Sequence, residues 1–290
     1  MTDKDNIEYW LNEVHQGDAK RVLDDIPNNS IDCVITSPPY WNLRDYGEEE
    51  QLGQEDEYEQ YINNLADICD LIYDVLKYSG SFWLNLGDTF QNKNKLNIPY
   101  RVAIELQSRG WIERNDVTWV KPNPVPQSVK DRLNVTTECF FHFVKQKQYF
   151  YDLDKIREPH KQVSKDRVKQ GPTNVNSEEI GNDTFDVDQI LHENGKNPGD
   201  VFEVLTKPMK KAHFAPYPVK LLDKPIKSSC PEDGIILDPF IGSGTTAIAA
   251  EKYNREWIGI DLNKDYVDMS YDRVEDETTK IFDERGVFDY

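Results

Sequence analysis

The chain predicts an α/β fold built on a mostly parallel sheet, and three observations predict it. Short apolar runs of strand length recur along the sequence. Longer segments with a helical stripe lie between them. One apolar run passes through a glycine turn straight into a helix, Ile235–Thr246 (IILDPFIGSGTT). At 290 residues, with 38% hydrophobic and 11% aromatic residues, the chain can bury one large core or two modest ones.

The elements follow in order. Asp32–Thr36 (DCVIT) reads as the first strand. Tyr58–Lys77 follows as a helix, with Tyr61, Leu65, Ile68, Leu71, Ile72 and Val75 on one stripe. Ser81–Leu86 (SFWLNL) is a second strand, and Ile98–Arg109 a helix closed by Gly110. Asp116–Val120, Cys139–Val144, Ile235–Leu237 and Trp257–Ile260 are further strands, with a helix at Thr245–Tyr253. Residues 161–204 are rich in Asn, Lys, Asp and Gly without sustained periodicity, which suits a variable insertion or a mobile loop.

The formal charge of −19 argues against a polyanion partner until its distribution is read. Residues 1–88 hold 20 acidic and 5 basic side chains. Between Trp119 and Pro172 the sign reverses, with 11 basic against 6 acidic, and Lys207–Ser228 holds 6 against 1. An acidic shell with two basic segments suits a protein presenting one face to nucleic acid, although each cluster alone reads as solvated surface. No apolar run approaches the eighteen or so residues that span a bilayer, and the start MTDKDNIEYW is not a signal peptide. A cytoplasmic protein without membrane attachment is expected. Cys33, Cys69, Cys139 and Cys230 are too scattered for a disulfide frame or a metal site, so reduced thiols and no metal are expected.

Two loops carry the chemistry. In the first, a strand ends at Asp238 and the chain turns through Gly242 and Gly244 into a helix at Thr245. Glycines let a ligand approach the backbone, and the helix start offers free N–H groups. Nineteen residues beyond Gly242, Asp261 ends the next strand, placed to accept hydrogen bonds from a ribose diol. The missing lysine in GSGTT excludes a P-loop, whereas a nicotinamide dinucleotide site stays open. In the second, Thr36–Tyr40 (TSPPY) follows a strand directly. Two prolines fix the backbone and remove two donors, leaving carbonyls as acceptors. The Ser37 hydroxyl and Tyr40 ring then frame a rigid pocket for a planar amino-substituted ring. Ligands in open α/β sheets gather at the carboxyl ends of strands, so the two loops together are far more specific than either alone.

TSPPY together with DPFIGSGTT resembles the amino-methylating DNA methyltransferases, in the cytosine-N4 wording and in the circularly permuted beta-group order. The resemblance runs from about Val14 to Val274. It implies a Rossmann-like methyltransferase fold with one antiparallel strand near Cys139–Val144, S-adenosyl-L-methionine as cofactor, and double-stranded DNA as substrate. A cognate restriction endonuclease is its implied companion. Ser37, Pro38, Pro39 and Tyr40 become the catalytic loop. Asp238, Pro239, Phe240, Gly242, Ser243, Gly244 and Thr245 become the methionine-side cofactor loop, joined by Thr36, and Asp261 the ribose acid. Asp18, after Gly17, matches the acid near the cofactor's adenine. His213, Phe214, Pro216 and Tyr217 match the segment that closes over the methionine moiety. Lys121 and Asn123 match the loop lining the flipped-base pocket, with Lys130 and Arg132 for phosphates. The implied organisation is a first core part at 1–160, a target-recognition insertion at 161–204, and a cofactor-binding part with tail at 205–290.

The chemistry needs no covalent nucleophile: acceptors must turn the amine lone pair toward the sulfonium methyl. Consistently, no Pro-Cys dipeptide is present, Cys230-Pro231 being the reverse order. Adenine N6 as target, a nicotinamide-dependent oxidoreductase and a non-catalytic DNA-binding module remain the competing readings.

Overall fold

In a computed structural model the described residues are 3–43, 47–48, 51–164, 166, 191–206 and 216–284. The strands are β1 (Glu13–Gln16), β2 (Ile31–Thr36), β3 (Leu76–Leu86), β4 (Phe90–Gln91), β5 (Asn94–Lys95), β6 (Ile112–Val120), β7 (Thr137–Val144), β8 (Val201–Glu203), β9 (Ile235–Asp238) and β10 (Glu256–Asp261). The helices are α1 (Ala19–Asp25), α2 (Tyr58–Val75), α3 (Ile98–Ser108), α4 (Asp223–Ser229), α5 (Thr245–Lys252) and α6 (Lys264–Glu284). Two compact units contain them. One comprises Met1–Tyr151 and Asp200–Tyr290, and the other Asp152–Gly199. The described residues of the smaller unit include a helical turn, Asp154–Ile156, and an antiparallel bridge between Glu158 and Lys196.

In the larger unit, eight strands form one sheet in the order β1-β10-β9-β2-β3-β7-β6-β8, and β4 and β5 form a separate hairpin. Every pairing is parallel except those of β7, which runs antiparallel to both neighbours, as the resemblance implies. Central strands bury side chains on both faces, which is why they read as unbroken apolar runs. In β2, Ile31 and Val34 join the core beneath α2 and α3, while Cys33 and Ile35 join the core beneath α4 and α5. Trp83 likewise points opposite to Phe82 and Leu84 on β3. The four cysteines are free thiols, all buried but the half-buried Cys139.

The site position follows from this order. From β2 the chain crosses through α2 to β3 on one side, and from β9 through α5 to β10 on the other. Neighbouring parallel strands β2 and β9 (Cys33 beside Ile236, Val34 beside Leu237) therefore send their following loops apart. Such a switch in strand order opens a crevice at the carboxyl ends of the sheet.

The sequence reading needs four corrections in the fold. Helix α2 ends at Val75, and residues 76–80, read as its end and a loop, already belong to β3. Residues 112–115 extend β6 before the expected Asp116. β8 lies within the stretch read as irregular but pairs with β6 (Thr118 beside Val201). The elements β1, α1, β4, β5, α4 and α6 are additional. Most of residues 161–190 lie outside the described residues.

Candidate active site

The loop after β2 and the loop after β9 line one cavity of about 550 Å³. A buried hydrogen bond ties their roots together, from Thr36 Oγ1 to Asp238 Oδ1 at 2.6 Å. Asp238 is only 2% exposed and braces the glycine loop. It also accepts from Thr246 Oγ1 (2.5 Å), Tyr217 OH (3.0 Å) and the Phe240 amide (3.0 Å). Burial pushes the Asp238 carboxyl above its usual range and the Tyr217 phenol well above its own.

Beyond Asp238 the loop is held from two sides. The Gly242 amide donates to Asp261 Oδ2 at 2.9 Å. From α6, Arg273 Nη1 donates to Ser243 O, Ser243 Oγ and Thr245 Oγ1, each at 2.8 Å. Gly244 caps the start of α5 in the left-handed region. At Gly242 (φ +51°) an added Cβ would meet nothing nearer than the Phe240 carbonyl at 4.0 Å. The backbone there is open to a ligand, as sequence reasoning expected of a glycine loop. Asp261 is flanked by acids: burial raises its carboxyl to about 6, and the charges of Asp238 and Glu48 add to that rise. Asp18 lines the same cavity while its Oδ1 caps α1 by accepting from the Arg21 amide at 3.2 Å.

At the other end, the Pro39 carbonyl accepts from Tyr61 OH at 2.9 Å, which fixes the Pro-Pro turn. Tyr40 OH donates to Glu138 Oε2 at 3.0 Å and lies 3.1 Å from Ser37 Oγ. Asn85 Nδ2 donates to Tyr40 OH (2.7 Å), Glu138 Oε2 (2.9 Å) and Ser37 Oγ (3.3 Å). Lys121 Nζ donates to the other Glu138 oxygen and sits 4.5 Å from the Trp119 ring centroid. Burial, with the Glu138 carboxylate beside it, raises the Tyr40 phenol well above its usual range. Gly87 backs the ring so closely that an added Cβ would lie 2.5 Å from Tyr40 Cε2.

Of the residues read from sequence, Asp18, Ser37, Pro38, Pro39, Tyr40, Lys121, Pro216, Tyr217, Asp238, Pro239, Phe240, Gly242, Ser243, Thr245 and Asp261 line this cavity. Thr36 and Gly244 brace it from behind. Asn123 does not line it: its amide exchanges hydrogen bonds with the Thr206 backbone, both at 2.9 Å. Lys130 is exposed, and Arg132 lies over the Phe90 ring at 4.0 Å. His213 and Phe214 lie outside the described residues. Asn85, Glu138, Glu48, Asn263 and Tyr266 line the cavity without having been singled out in the sequence. Asn85 carried a signal, a lone amide inside the apolar run SFWLNL, whereas Glu138 precedes such a run without any mark.

Among the described residues, no group of three or more His, Cys, Asp and Glu could hold a metal ion, and no helix is long and apolar enough to cross a membrane. Among solved structures, PvuII DNA methyltransferase (cytosine-N4-specific) superposes with a TM-score of 0.67 at 20% identity, covering 93% of this chain and 92% of that one. The M1.HpyAVI–SAM complex superposes at 0.57 and 21%, covering 90% and 98%. These likenesses give the fold. Type II methyltransferase M.Cfr9I of Citrobacter freundii is 33% identical, over 92% of this chain and 88% of its own length. M.XycI of Xanthomonas campestris pv. cyanopsidis is 34% identical over the same shares. The N6/N4 DNA methylase family model matches residues 31–272, and with those relatives it establishes that this chain belongs to that family of DNA methyltransferases.

Proposed function

We propose that the chain transfers a methyl group from S-adenosyl-L-methionine to the exocyclic N4 amine of a cytosine flipped out of duplex DNA. The observation that carries this reading is the joining of Ser37–Tyr40 and the glycine loop in one cavity through the Thr36–Asp238 bond. The cavity's donor set fits the cofactor: carboxylates at Asp261 and Asp18 for hydroxyl and amine hydrogens, and open backbone at Gly242. Asp261 would take the ribose, Asp18 the adenine side, and Pro239 to Thr245 with Pro216 and Tyr217 the methionine side. When bound, S-adenosyl-L-methionine supplies an electrophilic methyl on a sulfonium.

The protein's own work is positioning and electrostatics. Cytosine's amine lone pair is delocalised into the ring, so acceptors must hold its N–H groups and turn the lone pair out of conjugation. Ser37 Oγ and the Pro38 carbonyl would accept these hydrogens, and the Tyr40 ring, backed by Gly87, would be the stacking surface. Flipping the base costs roughly a few kcal/mol of unstacking. The Ser-Pro-Pro-Tyr wording favours cytosine N4. Digesting modified DNA to nucleosides and identifying the product by mass spectrometry tests the reading: N4-methyldeoxycytidine supports it, and N6-methyldeoxyadenosine or no methylated base overturns it. A companion restriction endonuclease reading the same DNA site follows from this reading, as does a cytoplasmic location.

Two expected results arise here. Ionised Asp261 accepts ribose hydroxyls better than the neutral acid, so cofactor affinity should weaken as pH falls through about 6. Calorimetric titrations between pH 5 and 8 should show this for the wild type, with D261N weaker throughout and flat. The same slope in D261N removes Asp261 from the ribose site. The second concerns phosphate contacts. Lys121 is engaged by Glu138 inside the cavity, so the phosphate contacts of that loop are assigned to the exposed Lys130 and to Arg132. K130A/R132A should reduce the slope of log affinity against log salt by roughly 0.9 per lost contact. An unchanged slope moves the DNA face elsewhere.

A further inference from the structure

Glu138 ends a directed chain of hydrogen bonds. A carboxylate only accepts, so the single Tyr40 hydroxyl hydrogen must point at Glu138 Oε2. Tyr40 OH can then only accept from Ser37, which turns the Ser37 hydrogen toward Tyr40 and its lone pairs away from it. The same carboxylate sets the Asn85 amide: Nδ2 faces Glu138, so Oδ1 is the atom left over. Asn85 is 1% exposed and lines the cavity, yet no donor among the described residues reaches its Oδ1. A buried amide oxygen without a donor is costly in a folded protein, so the Asn85 orientation is held by what its Nδ2 bonds to. Lys121 holds the other Glu138 oxygen, so the carboxylate's direction and charge are fixed from the far side.

We propose that Glu138, anchored by Lys121, is a positioning residue for methyl transfer: it polarises the Ser37–Tyr40–Glu138 chain and fixes the Asn85 amide beside it, so that Ser37 Oγ presents its lone pairs to the target amine. This rests on the reading of the cavity as an amine-methylating site. It adds two residues from different strands, β3 and β7, to a loop that sequence alone credits with the chemistry. It also gives the antiparallel strand a task, because β7 brings a carboxylate to the carboxyl end of β3 from the opposite direction.

The test is a double-mutant cycle on the full chain with duplex DNA. Glu138→Gln keeps the shape but can donate to Tyr40 OH, which reverses the chain and turns the Ser37 hydrogen toward the base. Single-turnover methyl transfer should fall at least 30-fold, with affinities for S-adenosyl-L-methionine and DNA within about 3-fold of wild type. Tyr40→Phe cuts the same chain while keeping the ring, and should lower turnover about 10-fold. In the Tyr40→Phe background, Glu138→Gln should cost clearly less than it does alone, because the Ser37 arm is already disconnected. Independent, multiplying losses would mean that Glu138 acts only as structure and would overturn the proposal. So would near-wild-type turnover in Tyr40→Phe, a variant that also serves if Glu138→Gln does not fold. Wild type that methylates neither base refutes the functional reading instead, and nucleoside analysis of the same reactions separates the two failures.

Discussion

Ser37→Ala is expected to lower single-turnover methyl transfer by roughly 10²–10³-fold, the usual loss when one preorganised hydrogen-bond partner of a reacting group is removed. Affinity for S-adenosyl-L-methionine should survive, because Ser37 bonds to Tyr40 and Asn85 and not to the Asp238–Asp261 side of the cavity. Tyr40→Ala should lose as much turnover but is the less clean variant. It empties the space over Gly87 and strips partners from Asn85 and Glu138. Truncating a packed aromatic of this size costs about 3–5 kcal/mol, so its melting temperature should fall as well. Rapid-quench turnover, cofactor titration and thermal melting on both variants separate the effects. Full turnover in Ser37→Ala, or a loss traced wholly to weaker cofactor binding, removes the hydroxyl from the reaction.

The sequence carried the central sheet and both loops because their signals are local. β2 and β9 are short apolar runs ending in turn residues, and α2 shows an unmistakable stripe. The elements that escaped are those whose stability is tertiary. β1 is four residues with one buried apolar side chain, Val14, and gains its place by pairing with β10. α6 is strongly acidic and offers a thin apolar stripe around Val267 and Val274. Besides that stripe, it is docked by Tyr271 bonding to β1 and Arg273 reaching the glycine loop, long-range contacts with no periodic trace. The same division holds in the site. Ser37–Tyr40 and Asp238–Thr245 are contiguous motifs, whereas Asn85 and Glu138 meet only because β3 and β7 pair in register, Asn85 beside Phe140. Asn123 shows the reverse error: a motif residue whose side chain straps the wall to Thr206.

Asp238→Ala should have the largest effect on cofactor binding, and for a reason other than direct contact. The carboxylate accepts from Thr36, Thr246, Tyr217 and the Phe240 amide, all inside the protein. Thr246 and Tyr217 still have each other at 2.5 Å when it is gone, but the Thr36 hydroxyl and the Phe240 amide lose their partner. One buried and one part-buried orphan at about 1–3 kcal/mol each predict a loss of roughly 2–6 kcal/mol at most. At about 2–4 °C per kcal/mol for a domain of this size, the melting temperature should fall by roughly 4–24 °C. The loop that leaves Asp238 loses its fixed root, so affinity for S-adenosyl-L-methionine should fall more than 10-fold. Asp238→Asn, which keeps the shape and can still accept through one oxygen, should fall between. If Asp238→Ala melts and binds as wild type does, the Thr36–Asp238 bond does not hold the two loops together, and their shared cavity must be maintained by Tyr217 and Arg273 instead.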